Sequence, residues 1–147
     1  MQFAKISDRF STTGQIVPED MEQVAADGFK TVINNRPDGE GGPEQPTSDA
    51  CRAAAEDAGL TYHYIPMTMQ GMSMELLGDF HRAVADSPQP VLAHCKSGAR
   101  STALWALTEA CYNEREIDDV LDDAKRAGYD LSGLRPMLAA YVGQHGR

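Results

Sequence analysis

An α/β domain is the fold class this sequence predicts, and three observations carry the prediction. Short β-rich runs alternate with helical segments, the pattern of βαβ units feeding a mainly parallel sheet. The chain has 147 residues, the length that one hydrophobic core serves. The apolar run Pro90 to His94 passes through a short glycine-containing loop directly into a helical segment. We therefore expect a single domain over residues 1–147, with a mainly parallel sheet of roughly four or five strands flanked by helices on both faces.

The elements follow in order. Gln2 to Ile6 and Phe10 to Gly14 read as an edge hairpin, with Thr12 and Thr13 β-branched and Gly14 a turn residue. Pro18 to Asp27 reads as the first helix: Pro18 suits an initial helical position, Glu19 and Asp20 the first turn, and Gly28 the exit. Lys30 to Asn34 is the next strand. The stretch Asn35 to Pro46, rich in Gly, Pro and acidic residues, is long for an internal connection, and such loops often carry function. Thr47 or Ser48 caps an Ala-rich helix ending at Ala58 and Gly59, and Thr61 to Ile65 is a strand. Ser73 caps a helix in which Met74, Leu77, Phe80, His81 and Val84 recur at helical spacing. Past the loop after Cys95 comes a helix through Leu104, Trp105 and Cys111. Two more follow, Glu116 to Ala127 and Ser132 to His145, the second capped by Ser132.

Thirteen Lys and Arg against 22 Asp and Glu give a net charge of −9, a field that repels extended polyanions such as nucleic acid. Any anionic substrate must then be held by a small local site. The start has no apolar run of signal-peptide length and no segment has membrane-spanning length, so the expected location is the cytoplasm, with no membrane partner. Cys51, Cys95 and Cys111 show no metal-ligand spacing, and neither a metal nor a cofactor is expected.

The informative stretch is Pro90-Val-Leu-Ala-His-Cys-Lys-Ser-Gly-Ala-Arg-Ser101. A loop delivering the chain from a strand end to a helix start points free N–H groups into one concavity beside the positive end of the helix dipole. The amides of Lys96, Ser97, Gly98 and Ala99 would form such an anion cradle. A cysteine on its floor, Cys95, has its thiolate stabilised and becomes a nucleophile at neutral pH. Arg100 offers a planar fork to an oxyanion, Lys96 adds charge, and Gly98 permits backbone that other residues resist. The Ser101 hydroxyl is placed to donate to the sulfur. The competing reading makes Cys95 a small buried hydrophobe, Gly98 a turn residue and Arg100 a solvated one; the joint pattern argues against it.

His-Cys-Lys-Ser-Gly-Ala-Arg-Ser resembles the signature loop H-C-x5-R-[ST] of cysteine-dependent protein tyrosine phosphatases of the compact dual-specificity style. Val32 to Gly39, Pro90 to Cys95 and Arg100 to Leu107 together resemble the bacterial phosphatase-like domain family that also occurs fused to β-lactamase-like metallohydrolases. The resemblance implies a phosphatase-like hydrolase with Cys95 as nucleophile, phosphate-type binding by Arg100 and the loop amides, help from Ser101, and a β-lactamase-like metallohydrolase as candidate partner. Two departures stand out. The loop is C-x4-R, one residue shorter, the size of the Cys loop of rhodanese-type sulfurtransferases; a Cys95 persulfide carrier is therefore an alternative, and a noncatalytic anion or phosphopeptide binder a third. Second, Pro66 to Ser73 contains no carboxylate to serve as the phosphatase general acid; Glu75 is the nearest candidate, with Asp79 beyond it.

Arg36 follows a strand ending at the same sheet edge as Cys95, and is either a second cation for the substrate or a turn residue paired with Asp38. His94 supports the loop through hydrogen bonding and is not the base. Met67, Met69, Met72 and Met74, and likewise Cys51 and Cys111, are read as packing residues.

Overall fold

The protein, seen in a computed structural model, is described over residues 2–145. Its sheet has five strands in the order β1-β2-β5-β3-β4: β1 (Ala4–Lys5), β2 (Phe10–Thr13), β3 (Thr31–Asn34), β4 (Thr61–Tyr64) and β5 (Val91–His94). Only β1 is antiparallel, forming the expected hairpin with β2 at one edge; the other pairings are parallel. The six α-helices of the described residues are α1 (Met21–Ala26), α2 (Ser48–Asp57), α3 (Met74–Asp86), α4 (Ala99–Cys111), α5 (Ile117–Arg126) and α6 (Arg135–Gln144).

Strand alternation divides the core in two. Ile33, Val91 and Ala93 point into one layer with Leu77 and Phe80 of α3, Leu104 and Leu107 of α4, Val120 of α5 and Leu138 of α6. Val32, Leu92 and Tyr62 point the other way, onto Met21 and Val24 of α1 and Cys51 and Ala55 of α2. The parallel strands are thus covered on both faces, as their apolar content requires. Helix α4 is buried almost all round, from Ser101 to Ala110, so its sequence shows little amphipathic contrast. Among the described residues, no helix is long and apolar enough to cross a membrane.

Two expected helices differ in detail. Pro18–Asp20 is a 3-10 turn before α1, with Asp20 Oδ2 accepting from Val17 N–H. The last helix is divided: Ser132–Leu134 is a 3-10 turn and α6 begins at Arg135. Ser132 does not cap it; the Ser132 N–H instead donates to Asp130 Oδ1. Thr47 and Ser73 do cap α2 and α3, accepting from Ala50 N–H and Leu76 N–H.

Candidate active site

Four parallel strands end at one edge, and the chain from β5 turns there through Cys95 into the N-terminus of α4. Gly98 is the cap of α4, at φ +94°, where any other residue would be strained. The Gly98 N–H donates to Cys95 Sγ at 3.1 Å. The residue is fully buried. Burial alone pushes its thiol pKa up, but the backbone amides of Ser101, Ser97, Gly98 and Arg100 outweigh it, and the thiol lies below its ordinary value. The cradle therefore favours a thiolate.

Asn35, one residue past β3, braces this loop from beneath. Its N–H donates to His94 O at 2.7 Å, its Nδ2 donates to Ile65 O at 2.9 Å, and its Oδ1 accepts the Ser101 hydroxyl at 2.8 Å. Ser101 thus spends its hydroxyl on Asn35, while its backbone amide is among those stabilising the sulfur. Lys96, Ser97 and Ala99 are exposed at the rim; Lys96 O accepts from Gln15 N–H at 3.1 Å, and Ser97 Oγ accepts from Ala99 N–H at 3.3 Å.

His94 is fully buried. Neither ring nitrogen makes a well-formed hydrogen bond among the described residues, although the ring lies close enough to the Cys95 backbone to feel it. Its backbone carbonyl accepts from Asn35 N–H. Burial lowers its pKa from 6.5 to about 4, so the ring is neutral under ordinary conditions.

Among the described residues Arg36 does not pair with Asp38. Asp38 instead receives Ser48 N–H and Oγ–H at 2.8 and 2.7 Å. Arg36 Nε donates to Glu40 Oε1 at 3.0 Å, and its Nη1 to Gln15 Oε1 at 3.1 Å. Glu40 also receives a two-pronged grip from Arg100: Nη1 to Oε2 at 2.8 Å and Nη2 to Oε1 at 2.6 Å. Arg100 Nη1 further donates to Met67 O at 3.0 Å. These bonds occupy the terminal edge of the guanidinium, and the Arg100 side chain also interacts with the Cys95 sulfur, so its charge stands beside the thiolate. Hydrogen bonding by Arg100 and Arg36 holds the Glu40 carboxyl down at about 2, ionised at neutral pH. Nothing in the local sequence around Glu40 marks its pairing with Arg100, because that partner is 60 positions away.

Glu75 lies exposed in the first turn of α3, and among the described residues no hydrogen bond or ion pair joins it to the cradle. Met67 is buried beside the site, whereas Met69 is exposed. Cys51 is buried, which raises its thiol pKa and leaves it inert packing. Among the described residues no cluster of His, Cys, Asp or Glu is arranged to hold a metal ion.

The phosphatase-like domain family of the beta-lactamase hydrolase-like proteins matches residues 2–112. The chain belongs to this family. A beta-lactamase hydrolase-like protein of Xylella fastidiosa is 37% identical over 131 residues, which is 89% of this chain and 30% of the relative; one from Agrobacterium fabrum is 36% identical over the same extent. The chain thus spans about a third of the length of these relatives. Among solved structures, a candidate phosphatase from Neisseria meningitidis superposes with a TM-score of 0.83 at 30% identity, covering 94% of this chain and 96% of that one. At 19% identity, Tk-PTP in its active form shares the fold with a TM-score of 0.74, covering 97% of this chain and 96% of that one. The yeast PP-IP phosphatase SIW14 shares it at 16% identity with a TM-score of 0.67, covering 96% and 83%. The chain therefore has the fold that these phosphatases share.

Proposed function

We propose that this domain is a cysteine-nucleophile phosphatase-like hydrolase of small anionic substrates. The observation that carries the reading is the fully buried Cys95 sulfur accepting the Gly98 N–H at 3.1 Å at the start of α4, with Arg100 beside it, a setting that lowers the thiol pKa. The Cys95 thiolate attacks phosphorus while the equatorial oxygens lie on the loop amides and the Arg100 guanidinium. The P–O bond breaks and the leaving oxygen takes its proton from water. Water then attacks the phosphocysteine, the S–P bond breaks, and phosphate leaves with the thiolate restored. Glu40 is ionised and salt-bridged, so it is no proton donor, and Glu75 faces solvent. The substrate class is accordingly one whose leaving group departs unprotonated, such as an aryl phosphate or a phosphoanhydride.

A second reading, transfer of sulfane sulfur through a Cys95 persulfide, draws on the same sealed sulfur and the short C-x4-R loop, since thiol exchange needs no acid of the phosphatase kind. A noncatalytic binder is the third. One comparison separates them: the protein is offered an aryl phosphate and, separately, thiosulfate or glutathione persulfide, and the Cys95 peptide is weighed after each. We expect phosphate release that Cys95→Ser abolishes. A stable sulfur adduct with turnover to a thiol acceptor, and negligible phosphate release, assigns sulfur transfer instead. Activity surviving Cys95→Ser rules out both enzyme readings, and an anion retained without turnover leaves the binder.

A further inference from the structure

Tyr129 lies outside the stretch that matches the family, yet it touches the cradle. It stands just past α5, where the turn is held by Gly128 N–H to Lys125 O at 3.0 Å and Tyr129 N–H to Ala124 O at 2.9 Å. Its ring packs against the main core layer. Its hydroxyl donates to Ser97 O at 3.2 Å. The approach is close: a Cβ on residue 98 would lie 2.1 Å from the Tyr129 hydroxyl and 3.0 Å from Cζ.

Ser97 C=O and Gly98 N–H belong to one peptide unit. In a trans peptide these groups point in opposite directions from a rigid plane. The carbonyl faces outward to Tyr129, and the N–H faces inward to Cys95 Sγ at 3.1 Å. The bonds form one chain, O–H to O=C to N–H to sulfur, in which each polarises the next. Glycine on one side of the plane eases its rotation, because Gly98 has no Cβ to oppose it. Rotation would turn a carbonyl oxygen toward the sulfur and break both bonds at once.

We infer that Tyr129 is a positioning residue for the Cys95 thiolate, acting through the Ser97–Gly98 peptide. The inference rests on the reading of Cys95 as a thiolate nucleophile. Tyr129 touches neither the sulfur nor a substrate; it keeps one of the amides that stabilise the thiolate aimed at it. The site is thus completed by a segment some thirty positions downstream, at the end of α5.

Tyr129→Phe keeps the ring and removes only the hydroxyl. The test is the rate of Cys95 alkylation by iodoacetamide against pH, with the adduct located by peptide mass, for the wild type, Tyr129→Phe and a control, Tyr141→Phe on α6. The midpoint for Tyr129→Phe should rise by roughly half a pH unit, the scale of weakening one of several hydrogen bonds to a thiolate. The rates should converge with wild type above both midpoints, and Tyr141→Phe should follow wild type throughout. A residue that merely packs would alter the unfolding temperature and leave the pH profile in place. Superimposed profiles for Tyr129→Phe and wild type would overturn this inference while leaving the thiolate reading intact. A wild-type midpoint at the ordinary thiol value of roughly 8.5 would overturn the thiolate reading, and this inference with it.

Discussion

Replacing Glu40 with Gln removes the carboxylate that Arg100 and Arg36 share. In the folded protein its pKa drops from 4.5 to about 2, chiefly through the Arg100 hydrogen bonds. Undiscounted, that difference corresponds to about 3 kcal/mol. The Glu40 side chain is 30% exposed and Arg100 is 18% exposed, so solvent screening reduces the net contribution to about 1–2 kcal/mol. The folded pKa is depressed, so the stabilisation is complete above the unfolded pKa and is lost as pH falls through the folded one. It is therefore full at neutral pH, more than half gone by about pH 3, and absent below about pH 2. Urea unfolding of wild type and Glu40→Gln at pH 7 should differ by about 1–2 kcal/mol, or roughly 3–6 °C in melting temperature. The gap should narrow as the pH is lowered toward 3. Glu44→Gln, which removes the same charge from an exposed position of the same loop, should be near neutral at both. Equal stabilities at pH 7, or a gap that stays constant down to pH 3, would refute the assignment of Glu40 as an ionised partner of Arg100.

Two further outcomes follow from the site. Gly98→Ala combines a φ of +94° with a Cβ placed 2.1 Å from the Tyr129 hydroxyl, so a loss of about 2 kcal/mol or more in unfolding free energy is expected, together with slower Cys95 alkylation at neutral pH. A fully stable Gly98→Ala with wild-type thiol reactivity would contradict the cradle geometry. Burial lowers the His94 pKa from 6.5 to about 4, so the unfolded chain binds the extra proton first and stability should fall as pH drops from about 6.5 toward 4. Denaturant titrations across that window should show the decline, and His94→Asn should remove its His-dependent part.

Much of the fold was legible because its signals are local. Thr47 and Ser73 cap the helices they precede, and Gly59 and Gly128 stand at positive φ just past helix ends. The alternation of strands with helices sufficed for a parallel sheet, since a chain leaving one strand through a helix returns parallel to it. The errors were also local in origin. A proline and two acids at residues 18–20 satisfy a 3-10 turn as well as an α-helix, and Ser132 has the right residue type for a cap without the right chain path.

At the site, the chain order His94 to Ser101 by itself determined that a cysteine would sit on the floor of an amide loop at a helix start, because strand, glycine and helix are contiguous there. Which groups complete that loop was decided only by the tertiary structure. Glu40 reaches Arg100 across 60 positions, Ser101 reaches Asn35 across 66, and Tyr129 reaches Ser97 across 32. Each contact depends on where separate connections emerge along one edge of the sheet, and a side chain's partner at such distances is set by the packing of the elements that carry it.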